Sequence, residues 1–443
     1  MGNASEFRAF TAVRATYASA TTGQVPEYSG WMDEQMSWKK TCYLGDWSFV
    51  PQIRFKGPDA LKLLKELSIN NFDNFPLRRA KHCVQCNEEG KVISEGVLLR
   101  WADDDFEYQC GTPQWTLYNL KSKGYDVEIS FPASHKMQIS GPNALAVCEK
   151  LAGESLRDIK FMWTKTFKVK DMDVLFLRQG MAGEIGFELQ GPIQQREALI
   201  NAVIEIGNDF GLRRLGARNL MINHLEACYP TGSMHFFNAL SDDSKKDYIA
   251  FMADDMNFPK EWKGTPLENQ LRYNFSTMFS GSWDGDDIRE LYRSPVEMGW
   301  SKSISFDHDF VGRGALEKEV ANPRRTVVTL EFNSEDVLRI HASLFSQGDA
   351  YRQFELPDIP YQVAWTDLIL KDGKSIGHAT HPGYSFFFRK ILALSFIDVE
   401  YAKPGTEVTV LWGNPNEPQT EIRATVAPAP YKQDDRRKDL SKV

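Results

Sequence analysis

Two windows of the chain repeat each other, and that repeat constrains the fold more than any bulk property. Ile53–Leu64 (IRFKGPDALKLL) parallels Met137–Cys148 (MQISGPNALAVC). Each reads as a short alternating strand, a Gly-Pro turn and an apolar-periodic helix. The glycine frees the backbone at the strand end and the proline suits a first helical turn. Asp59 or Asn143 offers an early acid or cap. A weaker third copy runs from Asp309 to Leu316. Single Gly-Pro turns are common, but two matching windows predict repeated strand–turn–helix units in a pseudo-twofold α+β arrangement.

Length and charge narrow the class. At 443 residues the chain is long enough for roughly two to three domains. It is 42% hydrophobic and 25% charged, as an ordinary globular protein is, and its net charge of -8 argues against nucleic acid as a partner. The mixed-sign run Lys432–Lys438 reads as a solvated tail. No apolar run reaches the roughly eighteen residues of a membrane span, so no membrane partner is expected. Met1–Glu6 lacks the basic and apolar regions of a secretion signal, and Glu6 stands where a myristoylation motif wants Ser or Thr. Six scattered cysteines suit a reducing, cytoplasmic setting. Cys83 and Cys86 form a lone CxxC without a second pair, so strand or loop thiols are expected and no metal.

Further elements follow from pattern. Val92–Trp101 and Asp105–Cys110 read as a hairpin, and Ile193–Phe210 as an amphipathic helix closed by Gly211. Ser241–Asp287 has little periodicity and reads as an insertion or a substrate-covering lid. After Asn322 come Thr326–Phe332, Asp367–Lys371, Ile391–Ile397 and Glu407–Trp412, the strands of a terminal β-barrel. The expected division is 1–240, a binding region with the repeat; 241–325, a middle segment completing the second domain; and 326–443, the barrel.

Gly180–Glu188 (GMAGEIGFE) is the densest motif, and it resembles the signature of the glycine-cleavage T-protein (aminomethyltransferase) family. Gly211–Leu220 (GLRRLGARNL), running into His224–Ala227 (HLEA), is similar to a second family segment. Ser294–Gly299, Phe310–Arg313 and His381–Ser385 match further landmarks in order. The resemblance implies a three-domain cloverleaf with split ferredoxin-like repeats and a C-terminal β-barrel. It also implies tetrahydrofolate as cofactor, with Glu188 accepting the two donors of the pterin edge. His82, Gln138 and Arg218 sit where relatives place polar cofactor contacts.

Within the family the chain looks most like the tetrahydrofolate-dependent aryl O-demethylases of the vanillate, syringate and dicamba type. Trp38-Lys39-Lys40 before Asp46, Ile304–Arg313, Ala342–Phe345 and Val408–Gly413 carry that likeness. Three positions depart from it. Leu220 replaces a tyrosine of the vanillate type, Gln109-Cys110-Gly111 replaces a carboxylate-binding arginine, and His224 replaces the aminomethyltransferases' folate-side arginine. The implied function is transfer of a methyl group from an aromatic methyl ether, such as a methoxybenzoate, to N5 of tetrahydrofolate. The leaving aryl oxide calls for a proton donor. His224 is the first choice, and Tyr229 could donate or stack on the pterin. Tyr28, Trp31, Trp47 and Gln109 are the candidates for the donor pocket, with core packing the alternative for each aromatic. Glu95, beside Ser94 and not a second acid, argues against a cationic aminomethyl donor. The alternatives are a sulfonium or N-methyl demethylase, an aminomethyltransferase, and a noncatalytic folate-binding protein.

Overall fold

The computed structural model describes residues 25–265, 268, 271, 279–358 and 364–443. Met1–Glu6 and part of the 241–287 segment lie outside these. Two sheets and a barrel account for nearly all the described strands. The first sheet has six strands in the order Leu212–Arg214, Cys42–Asp46, Ser134–Ser140, Gly186–Pro192, Met172–Leu177 and Thr164–Val169. The second has five: Ala80–Cys86, Val92–Ala102, Asp105–Cys110, Gln52–Lys56 and Glu128–Ser130. The barrel closes six strands between Arg325 and Ala427.

The sequence repeat is a structural repeat. Strand Gln52–Lys56 leads to helix Ala60–Leu67, and strand Ser134–Ser140 leads to helix Ala144–Ala152. The two turns make the same bonds, Ala60 N–H to Gly57 at 3.1 Å and Ala144 N–H to Gly141 at 3.0 Å. Glycine is required at both. Their φ values are 150° and 134°, and a Cβ would stand 2.4 Å from the Asp126 carbonyl or 2.7 Å from that of Thr41. The expected caps differ. Asp59 and Asn143 occupy the N-cap positions, but neither side chain caps its helix. Tertiary partners claim them: Asp59 accepts from Asp126 N–H (2.9 Å) and Asn143 donates to the Phe210 carbonyl (2.9 Å). The third copy keeps only its helix, Arg313–Ala321 after Gly312.

A pseudo-twofold axis relates the two sheets. Arg79 pairs antiparallel with Trp163. Around that bridge Ala80 N–H donates to the Met162 carbonyl and Thr164 N–H to that of Arg78, both at 2.8 Å. Arg78 and Met162 share a left-handed φ, 62° and 64°. The symmetry continues where the sequence windows showed nothing. Phe106-Glu107-Tyr108-Gln109 mirrors Phe187-Glu188-Leu189-Gln190, and Gln109 and Gln190 exchange side-chain hydrogen bonds of 2.8 and 3.1 Å.

Three expectations need correction. The described residues of 241–287 do not form a lid: Tyr248, Met252, Phe258, Trp262 and Trp283 bury themselves in the core of the five-stranded sheet. None of its described residues reaches the central cavity. Lys432–Lys438 is not a solvated tail. Lys432 pairs with Glu184 (2.6 Å), Asp435 N–H donates to the Gly183 carbonyl (2.9 Å), and Leu440 is buried in the six-stranded sheet's core. The barrel has two more strands than the pattern suggested, Lys374–Ser385 and Thr420–Ala427. Asp372 and Gly373, both at positive φ, make the tight hairpin into the former. Cys83 and Cys86 share one strand but face different cores, so the CxxC holds no common ligand. No helix among the described residues is long and apolar enough to cross a membrane.

Candidate active site

A cavity of about 1200 Å³ lies where the two sheets, the barrel and a C-terminal strap, residues 428–443, meet. Glu188 enters it from strand Gly186–Pro192 and is only 5% exposed. Its Oε1 accepts from the Gln190 amide (2.5 Å) and its Oε2 from that of Gln179 (2.9 Å). Burial pushes the carboxyl above its usual range, against these two amides and the nearby Lys136 ammonium. A carboxylate has about four acceptor positions, so half of Glu188's capacity remains for a ligand. A donor pair on a flat heterocycle matches that remainder, so the residues present fit a pterin.

Lys136 and Gln190 are cross-strand neighbours, and the Lys136 Nζ donates to the Val50 carbonyl at 2.9 Å. Gln190 was legible in principle, because residues two apart on a strand share a face. Lys136 follows from Gln138 by the same logic.

Helix Leu220–Ala227 brings His224 to the opposite wall. Cys228 ends the helix at φ 56°, and Tyr229 N–H returns to the His224 carbonyl at 2.8 Å. This Schellman-type cap normally takes glycine, and here it turns Tyr229 beside His224, ring centroids 5.8 Å apart. Trp47 also stacks on the imidazole, ring centroids 6.5 Å apart at 24°. The Arg436 guanidinium lies 4.6 Å from the Tyr229 ring and is held by Asp434 through bonds of 2.7 and 2.6 Å. Burial brings the His224 pKa down to about 4, so the resting imidazole is neutral. A neutral imidazole can give a proton to a leaving oxygen only after taking one up.

Of the other expected site residues, His82, Gln109 and Arg218 also line the cavity. His82 Nε2 stands 3.0 Å from Glu95 Oε2. Gln109 is held by Gln190 and Glu107. Arg218 has its guanidinium committed to Glu27 and the Leu356 carbonyl. Three expected residues lie off the wall. Gln138 is buried behind it, accepting from the Tyr43 hydroxyl (2.5 Å) and Met181 N–H (3.1 Å). Tyr28 lies under Arg214, 3.9 Å from its guanidinium, and Trp31 packs edge-on against Tyr384 and Phe386. Trp31 starts the helix Trp31–Lys40 and faces the barrel strand Lys374–Ser385, which pattern alone did not reveal.

Comparison with known proteins now decides the family. The model described as the GCVT N-terminal domain matches residues 9–236, and the glycine cleavage T-protein C-terminal barrel domain matches residues 352–431. The chain belongs to the glycine cleavage T-protein family. The family brings tetrahydrofolate as cofactor and makes the chain a tetrahydrofolate-dependent transferase. Among curated relatives, syringate O-demethylase of Sphingobium sp. (strain NBRC 103272 / SYK-6) is 34% identical, covering 92% of this chain and 90% of that one. Sesamin methylene transferase of Sinomonas sp. (strain No.22) is 33% identical, covering 93% and 91%. The fold is that of aminomethyltransferase T of the glycine cleavage system from Bartonella henselae, with a TM-score of 0.66 at 17% identity over 96% of each chain.

Proposed function

We propose that this enzyme takes a methyl group from an aromatic methyl ether, a methoxybenzoate such as dicamba or a related arene, and delivers it to tetrahydrofolate, leaving a phenol. The observation that carries the reading is one cavity of about 1200 Å³ shared by a buried carboxylate with spare acceptor capacity and the aromatic wall of Trp47, His224 and Tyr229. That volume lies above the roughly 300–1,000 Å³ of ordinary ligand pockets, so cofactor and donor have room side by side. The two curated relatives at 34% and 33% identity, a syringate O-demethylase and a sesamin methylene transferase, support an aryl ether donor.

Bound tetrahydrofolate supplies the nucleophilic N5 that receives the carbon. Glu188, steadied by Gln179 and Gln190, holds the pterin edge. His82 serves as a further cofactor contact, and Trp47 with Tyr229 holds the donor ring flat. Arg79, Lys81, Lys136, Lys302 and Arg437 on the wall, set against Glu95, Glu188, Glu355 and Asp358, offer cationic partners for a donor carboxylate, although the whole chain carries -8. A cationic amine donor finds less support, because Glu95 is paired with His82 and flanked by Ser94.

The test incubates the purified full chain with tetrahydrofolate and a panel of methoxybenzoates, a methylenedioxyarene, methylated amines and a sulfonium. The expected product is 5-methyltetrahydrofolate from a methoxyarene. Glu188→Gln should weaken folate binding at least tenfold by calorimetry. Turnover confined to amines, or unaltered binding by Glu188→Gln, would overturn the reading.

A further inference from the structure

Methylating a secondary amine forms a nitrogen–carbon bond and breaks the carbon–oxygen bond of the ether, whose electron pair leaves on the aryl oxygen. One proton is then in excess on nitrogen and one is missing on oxygen, so the site needs a group that can carry it across. We propose that His224 Nε2 takes this proton and returns it to the aryl oxygen, and that Thr231 is the positioning residue that holds the imidazole in the tautomer able to do so. The inference rests on the ether reading above.

The hydrogen-bond logic is local. Thr231 has one hydroxyl hydrogen and two neighbours for it: the Tyr229 carbonyl at 3.1 Å and His224 Nδ1 at 3.1 Å. The carbonyl can only accept, whereas the imidazole can donate. Both bonds form if the hydroxyl donates to Tyr229 and His224 Nδ1–H donates to the hydroxyl. That assignment leaves the lone pair on His224 Nε2, a buried atom with no protein partner. A buried acceptor without a partner carries a desolvation cost, which a ligand N–H relieves.

The hydroxyl is itself held in place. Thr231 N–H donates to His235 Nδ1 (3.0 Å), and His235 N–H donates to the Thr231 carbonyl (2.9 Å). Trp47 and Tyr229 both pack against the ring. The helix is also tied to the pterin side. Asn223, next to His224, donates to the Tyr43 hydroxyl (3.4 Å), which donates to Gln138, the cross-strand partner of Glu188. A neutral imidazole with one fixed N–H and one open lone pair is suited to take a proton first and give it second. It does not depend on being charged at the outset, and it needs no tyrosine at position 220.

The test reads the tautomer directly. Nitrogen-15 NMR of the histidine-labelled full chain, with His224 identified by its loss in His224→Gln, should show neutral imidazole protonated at Nδ1 at pH 7. Added tetrahydrofolate should perturb its Nε2 signal. Thr231→Val should lose the single tautomer and lower kcat on the order of a hundredfold, with KM for tetrahydrofolate within about threefold. Thr231→Ser should restore both the tautomer and the rate. An imidazolium, or an Nε2–H form in the wild type, overturns the proposal, as does full kcat in a folded Thr231→Val. If Thr231→Val does not fold, the wild-type tautomer and Thr231→Ser still decide it. A wild type that demethylates no ether removes the ether reading instead, while the spectrum still reports on the tautomer.

Discussion

Burial leaves several histidines uncharged, and acid should expose this. His224 titrates near 4, and burial lowers His235 and His378 as well. The unfolded imidazole binds its proton near pH ~6.5. Between that value and the folded pKa, only the unfolded chain is protonated, so stability is complete above about pH 6.5 and declines as the pH falls toward 4. At pH 5, His224 alone should cost about 2 kcal/mol. Urea midpoints at pH 7 and pH 5 measure this, and His224→Gln should show a smaller drop than the wild type. An equal drop in both would mean that His224 does not fold as a buried neutral ring. At this scale the motifs made Glu188 and His224 candidates and both line the cavity, but Thr231 carries no signal. Its role arises from a turn that brings its hydroxyl to an imidazole seven positions earlier in the chain.

Among the elements, the strand–glycine–helix unit is the most demanding. Gly141→Ala meets both a positive φ and a carbonyl 2.7 Å from the new Cβ. Strain and overpacking should together cost about 2–6 kcal/mol. Gly153, the left-handed residue after the same repeat's helix, has nothing within 4 Å of its Cβ position. Gly153→Ala should therefore cost only about 1 kcal/mol. Parallel thermal melts would show the contrast, and equal shifts would mean that the turn has room to move. Helix and strand positions here were legible because a repeated pattern averages out chance. The helix Trp31–Lys40, with its polar composition and four buried residues that include Glu34 and Gln35, was not.

The parts of the molecule meet on one buried acid. Glu226 is 0% exposed, accepting from Trp38 Nε1 (3.0 Å), Lys39 Nζ (2.5 Å) and Ser385 Oγ (2.5 Å). Its carbonyl accepts Lys432 N–H at 3.0 Å, so one residue ties the N-terminal helix, the site helix, the barrel and the C-terminal strap. Glu226→Ala strands the Lys39 ammonium, which is 4% exposed, and should cost about 3–5 kcal/mol. Lys39→Met combined with Glu226→Leu should recover much of that loss in denaturant melts. An unchanged single variant would mean the junction is held elsewhere. The sequence alone determined the repeat, four of the six barrel strands, the family and Glu188 as the candidate carboxylate, because these rest on periodicity and contiguous motifs. Only the tertiary structure decided that Tyr28 and Trp31 lie away from the cavity, that Tyr248, Met252, Phe258, Trp262 and Trp283 are core and that the charged C-terminus forms part of the wall. Those outcomes depend on which surfaces distant segments find to bury against, and no local pattern records that choice.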